Sequence, residues 1–145
     1  MKLKILYINV TDEINIYNSN NKWVYSENSN GLWVKIQYDS NNNEIYWENH
    51  DGLLVKKEYD SNNNLIYCEH SNGFFYIKEF DSNNNELYCE YSSGLWVKKE
   101  FDSNGNILYR ENSNGLWVKI QYDSNNNEIY WENYDGTIID SRTKK

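Results

Sequence analysis

Residues 28 to 48, NSNGLWVKIQYDSNNNEIYWE, return letter for letter at 112 to 132, and three variants of the same 21-residue unit lie between them. They are NHDGLLVKKEYDSNNNLIYCE (49 to 69), HSNGFFYIKEFDSNNNELYCE (70 to 90) and YSSGLWVKKEFDSNGNILYRE (91 to 111). The frame never slips. Glycine stands at 31, 52, 73, 94, 115 and 136, and aspartate at 39, 60, 81, 102 and 123. A fixed period of this length marks a repeat architecture, in which each unit buries its apolar face only by stacking on its neighbours.

Within each unit two β-rich runs, such as LWVKIQY (32 to 38) and EIYWE (44 to 48), alternate with the turn-forming runs DSNNN and NHDG. Apolar residues recur with period two, and Asn/Gly clusters interrupt them too often for helix. If Asn41-Asn42 forms a two-residue type I′ turn, Tyr38 pairs with Ile45, Ile36 with Trp47 and Lys35 with Glu48. The second connection must be odd in length to keep the faces aligned. A three-residue loop ending in glycine, His50-Asp51-Gly52, meets that need as a type I turn plus G1 bulge. One face then gathers Leu32, Val34, Ile36, Tyr38, Ile45 and Trp47, and the other carries Trp33, Lys35, Gln37, Tyr46 and Glu48.

The expected fold is therefore an all-β repeat protein: a continuous antiparallel meander of 21-residue hairpin units, about thirteen strands in all. Regular bulges should twist this single sheet strongly, into an open half-barrel or a superhelical ribbon. Residues 1 to 145 read as one repeat domain. An N-terminal cap and half-repeat (1 to 27, with strands at Leu3 to Val10 and Ile14 to Tyr17) precede five repeats (28 to 132). A closing half-repeat and polar tail (133 to 145) follow. Strand edges at both ends leave self-association open.

Low mean hydropathy, −0.94, points toward disorder. The aromatic fraction of 17%, set at regular positions, argues against it. A net charge of −8 disfavours direct binding to nucleic acid or to an anionic membrane, and favours a basic protein partner or mimicry of a polyanion. No run is long and apolar enough for a membrane-spanning helix. The N-terminal apolar run is too short for a signal peptide, so a cytoplasmic protein is expected. Cys68 and Cys89 occupy equivalent places two strands apart, about 9.5 Å at ordinary strand spacing. That is too far for a disulfide, and both read as free core thiols.

Catalysis finds little support. The two histidines, His50 and His70, sit in turns, and the repeated glutamates form a ladder rather than one asymmetric cluster. Asp39-x-Asn41-x-Asn43 imitates the start of a calcium loop, but His50 stands where the closing glutamate belongs, so no metal and no cofactor are expected. The aromatic ladder is the strongest lead. Tyr46, Tyr67, Tyr88, Tyr109 and Tyr130 fall on the charged face beside Trp33, Phe75, Trp96 and Trp117. Glu48, Glu69, Glu90 and Glu111 flank them. Exposed aromatics serve as rigid anchors at protein interfaces.

The run Gly31…Tyr38-Asp39-Ser40-Asn41, repeated across residues 17 to 142 and ending in Tyr134-Asp135-Gly136…Ile139-Asp140-Ser141-Arg142, resembles the tandem YDSNGN-type hairpin repeats of phage and bacterial proteins. More distantly it is similar to the YD repeats of RHS-type shell proteins and to MORN-type repeats. The resemblance implies a non-enzymatic β-repeat surface, in antitoxin-like or anti-defence settings. The expected function is a protein-binding module that inhibits a basic or nucleic-acid-handling host protein, as an anti-CRISPR or an immunity factor would. A carbohydrate- or cell-wall-binding repeat and a structural or virion-associated repeat are the alternatives.

Overall fold

The computed structural model describes residues 4 to 9 and 13 to 142, with the side chains described from residue 13 onward. Two compact units emerge, residues 1 to 75 and 76 to 145, divided just after the first residue of the eighth strand. The expected cap residues Leu3 and Val10 and the tail residues Thr143, Lys144 and Lys145 lie outside the described residues.

The first unit contains β1 (Lys4–Asn9), β2 (Glu13–Tyr17), β3 (Trp23–Asn28), β4 (Trp33–Tyr38), β5 (Glu44–Asn49), β6 (Leu54–Tyr59) and β7 (Leu65–His70). The second holds β8 (Phe75–Phe80), β9 (Glu86–Tyr91), β10 (Trp96–Phe101), β11 (Ile107–Asn112), β12 (Trp117–Tyr122), β13 (Glu128–Asn133) and β14 (Ile138–Asp140). In each unit every strand pairs antiparallel with its sequence neighbours, so each is a meander of hairpins. No helix occurs among the described residues. The fold is all-β, as the period-two pattern requires. The closing strand is shorter than expected, three residues, and all three are exposed.

The DSNNN turn differs from the expected type I′. Only Asn42 has positive φ, 66°, and the bonds run from Asn42 N–H to Asp39 C=O (3.2 Å) and from Asp39 N–H to Asn43 C=O (3.0 Å). This is a three-residue loop, a type I turn with asparagine in the left-handed position where Gly105 stands in the fourth repeat. Asp39 explains the choice. Its Oδ1 accepts the N–H groups of Asn41 (2.8 Å) and Asn43 (2.9 Å), and its Oδ2 accepts the Asn43 amide (3.0 Å). Tyr38 accordingly pairs with Glu44 rather than Ile45. A one-residue register shift at Ile45 then restores the expected pairing, with Ile36 opposite Trp47 and Lys35 opposite Glu48. Two departures cancel, and the faces survive.

The second connection matches its expectation. Gly52 has φ of 77°, its N–H reaches Asn49 C=O (3.0 Å), and Asn49 N–H reaches Leu53 C=O (3.1 Å). Leu32, placed on the aliphatic face by parity, instead precedes β4 and is 44% exposed. Burial is concentrated on the apolar face, at Ile36 (6% exposed), Cys68 and Cys89 (4% each), both thiols being free.

Candidate partner-binding face

Strand alternation places one repeated set of side chains on the charged face of each unit. In the first unit this face carries Trp33, Tyr46, Glu48, Tyr67, Glu69 and Phe75. In the second it carries Tyr88, Glu90, Trp96, Tyr109, Glu111, Trp117 and Tyr130. All are half-buried.

The tyrosines and glutamates form one recurring motif. Because residues i and i+2 of a strand share a face, each tyrosine hydroxyl can donate to the glutamate two residues further on. Tyr46 does so to Glu48 at 2.7 Å, Tyr88 to Glu90 at 2.9 Å, Tyr109 to Glu111 at 3.1 Å and Tyr130 to Glu132 at 2.9 Å. The half-repeat repeats it with Tyr25 and Glu27 at 2.7 Å. The glutamate hydrogen bond raises the pKa of Tyr25, Tyr46, Tyr88 and Tyr130, since ionisation would set two anions side by side. Tyr67 and Tyr109 are raised first by partial burial and then by Glu69 and Glu111.

Neighbouring rings and cations brace this row. Tyr67 lies 6.4 Å from Phe75 and Tyr88 6.4 Å from Trp96, centroid to centroid. Lys35 lies over Tyr46 (5.8 Å) and Lys119 over Trp117 (5.3 Å), while Lys56 meets Glu69 at 3.5 Å.

Sequence reasoning placed Gln37 on this face but gave no role to the residue directly across the strand pair from each tyrosine. Tyr46 faces Gln37, Tyr67 faces Glu58, Tyr88 faces Glu79, Tyr109 faces Glu100 and Tyr130 faces Gln121. The register alone would have found them. The central repeats thus carry a second carboxylate where the identical outer repeats carry an amide. Arg142 was also missed. Its guanidinium lies 4.2 Å from the centre of the Tyr130 ring, donates to Gln121 Oε1 (3.1 Å), and forks onto Asp140 at 2.9 and 2.6 Å. That fork lowers the Asp140 carboxyl to about 2.

Three cavities open at one repeat position. A cavity of about 630 Å³ in the first unit is lined by Val24, Tyr25, Lys35 and Gln37. One of about 320 Å³ in the second is lined by the equivalent Leu87, Tyr88, Lys98 and Glu100. A third, about 690 Å³, adds Tyr130 and Arg142 to Leu108, Tyr109, Lys119 and Gln121. The slot is a property of the repeat.

The apolar face carries charges that the sequence did not reveal. Glu44, turned there by the register shift, meets Lys57 at 2.8 Å, and Glu86 meets both Lys78 (2.7 Å) and Lys99 (3.0 Å). Partial burial opposes ionisation of Glu86, but the two lysines outweigh it and hold its pKa below the ordinary value. The turn aspartates spend their oxygens on backbone and asparagine donors, and no three His, Cys, Asp or Glu side chains among the described residues converge on a metal position.

No protein-family model matches this sequence, and no curated protein matches it. Solved structures do resemble it in fold. The crystal structure of TcdB2-TccC3-Cdc42 superposes with a TM-score of 0.58 at 12% identity, covering 82% of this chain. The Photorhabdus luminescens Tc holotoxin pore with a TccC3 mutation and the crystal structure of TcdB2-TccC3 each give 0.56 at 12% identity and the same coverage. This chain spans 7% of the length of each. At this identity the likeness is one of fold, a β-hairpin repeat resembling those of YD-repeat proteins.

Proposed function

We propose that this chain is a non-catalytic, acidic β-repeat module that docks a basic protein partner on its tyrosine–glutamate face. The partner is a nucleic-acid-handling host protein whose activity the module blocks, as an antitoxin or a phage anti-defence factor such as an anti-CRISPR would. The supporting observation is the repeated motif itself: half-exposed rings, each bonded to a carboxylate, in a chain of net charge −8. Rigid rings supply contact area, and the carboxylates steer a basic surface toward it. Affinity capture from host extract tests this, comparing the wild type with a Y88A/Y109A variant. The expected result is one basic protein retained by the wild type, lost by the variant, and inhibited when the purified pair is assayed. Equal capture by both chains rejects the face.

The fold likeness to TcdB2-TccC3 assemblies favours one second reading, a structural repeat element. It requires co-sedimentation with a large assembly and no soluble partner.

A further inference from the structure

From the way Arg142 is held, we infer that the tyrosine slots at Tyr88 and Tyr109 are guanidinium seats for arginine side chains of a partner segment with the spacing Arg-x-x-Arg. The inference rests on the protein-binding reading above and names the chemistry that this face selects.

Arg142 shows what such a slot accepts. Its guanidinium lies 4.2 Å from the centre of the Tyr130 ring and donates to the cross-strand acceptor Gln121. The ring and the cross-strand acceptor recur at Tyr109 with Glu100 and at Tyr88 with Glu79, now with a carboxylate in place of the amide. The Asp140 fork does not recur: across the other strand pair, where Tyr130 has Asp140, Tyr109 has Lys119 and Tyr88 has Lys98. A guanidinium there stacks on the ring and donates charge-assisted hydrogen bonds, which are stronger than those Gln121 accepts. The tyrosine hydroxyl stays committed to Glu90 or Glu111, so the ring is held in place before anything binds.

Local charge still favours a cation, because Glu79 and Glu90 beside Tyr88 outnumber Lys98, and Glu100 and Glu111 beside Tyr109 outnumber Lys119. Ile77 stands where the other repeats have Lys35, Lys56, Lys98 and Lys119, and Glu79 has no ion-pair partner among the described residues. Lys98 approaches Glu100 only to 3.9 Å, with both side chains more than half exposed. The cavities supply the space, about 320 Å³ beside Tyr88 and about 690 Å³ shared by Tyr109, Tyr130 and Arg142. Spacing sets the register of the ligand. Equivalent tyrosines are two strands apart, about 9.5 Å. Three residues of a polyproline-type segment, at about 3.1 Å each, cover about 9.3 Å and return the side chain to the same side.

The test is fluorescence anisotropy on the full chain with a labelled nine-residue peptide carrying Arg-x-x-Arg in a Ser/Pro background. Controls are the same peptide with both arginines changed to lysine, and one with the arginines adjacent. The Arg-x-x-Arg peptide should bind at least about tenfold tighter than either control. E79Q/E100Q, at two exposed positions, should leave the far-UV spectrum unaltered and remove that margin. R142A should open the third seat and tighten binding of an Arg-x-x-Arg-x-x-Arg peptide. Equal affinity for the arginine and lysine peptides, or no response to E79Q/E100Q, overturns the proposal in favour of general attraction to an acidic surface. Should the peptides behave as expected while Y88A/Y109A still captures the host protein in full, the seats stand and the docking reading falls.

Discussion

Lys57 Nζ lies 2.8 Å from Glu44 Oε1 on the apolar face of the first unit, each side chain less than a third exposed. Partial burial opposes the charged form of Lys57, but the Glu44 contact outweighs it and raises the Lys57 pKa. Removing one partner strands the other charge. K57M should destabilise by about 1 kcal/mol, between the values for exposed and buried pairs. The double change K57M/E44L should recover most of that loss. Urea denaturation of the three proteins measures both.

The turn aspartates set an acid limit. Asp60, Asp81, Asp102 and Asp123 have pKa values below 3.8, held there by the asparagine side chain and the backbone N–H groups of each turn. A depressed folded pKa means the stabilisation is complete above the unfolded value and is lost as pH falls through the folded one. The urea midpoint should therefore hold from pH 7 to pH 5 and fall steadily below pH 3.8. Changing all four to asparagine should lower the midpoint at pH 7 and flatten the acid limb. The tyrosines supply the opposite limb. Their raised pKa values give a contribution present below pH 10 and lost as pH climbs through the folded value.

The left-handed turn position should discriminate sharply by side chain. Asn63 has φ of 66° and accepts the Asn43 amide at 2.8 Å. N63G keeps the backbone and loses that bond, so its stability should stay within about 0.5 kcal/mol of the wild type. N63V should cost about 1 to 2 kcal/mol, because a β-branched residue strains the left-handed region. Thermal unfolding ranks the two.

Trp23 carries a buried indole N–H with no acceptor among the described residues. W23F removes the orphan donor while keeping an aromatic ring. The variant should match the wild type or exceed it by up to about 1 kcal/mol, as denaturant midpoints would show.

Much of this structure was legible because two signals recur in constant frame. Alternation of Trp33, Lys35 and Gln37 against Val34 and Ile36 fixed the faces, and Gly52 fixed one turn. The other turn was misread because Asn41-Asn42 suits type I′ equally well by composition; the Asp39 carboxylate decides, by bonding Asn41 and Asn43 locally. The resulting shift at Ile45 moved Glu44 to the apolar face, which no periodicity announces. The tyrosine–glutamate row followed from parity. Its cross-strand acceptors needed the register, and Arg142 needed the path of the chain after β14, where no repeat remains to guide it.

The docking face is tested most directly by NMR on ring-labelled tyrosine and methyl-labelled isoleucine and valine protein, titrated with the captured partner. The rings of Tyr88 and Tyr109 should shift and broaden while the methyls of Ile36 and Val97 stay in place. Shifts confined to those methyls, with both tyrosines silent, would contradict the assignment of the charged face as the binding surface.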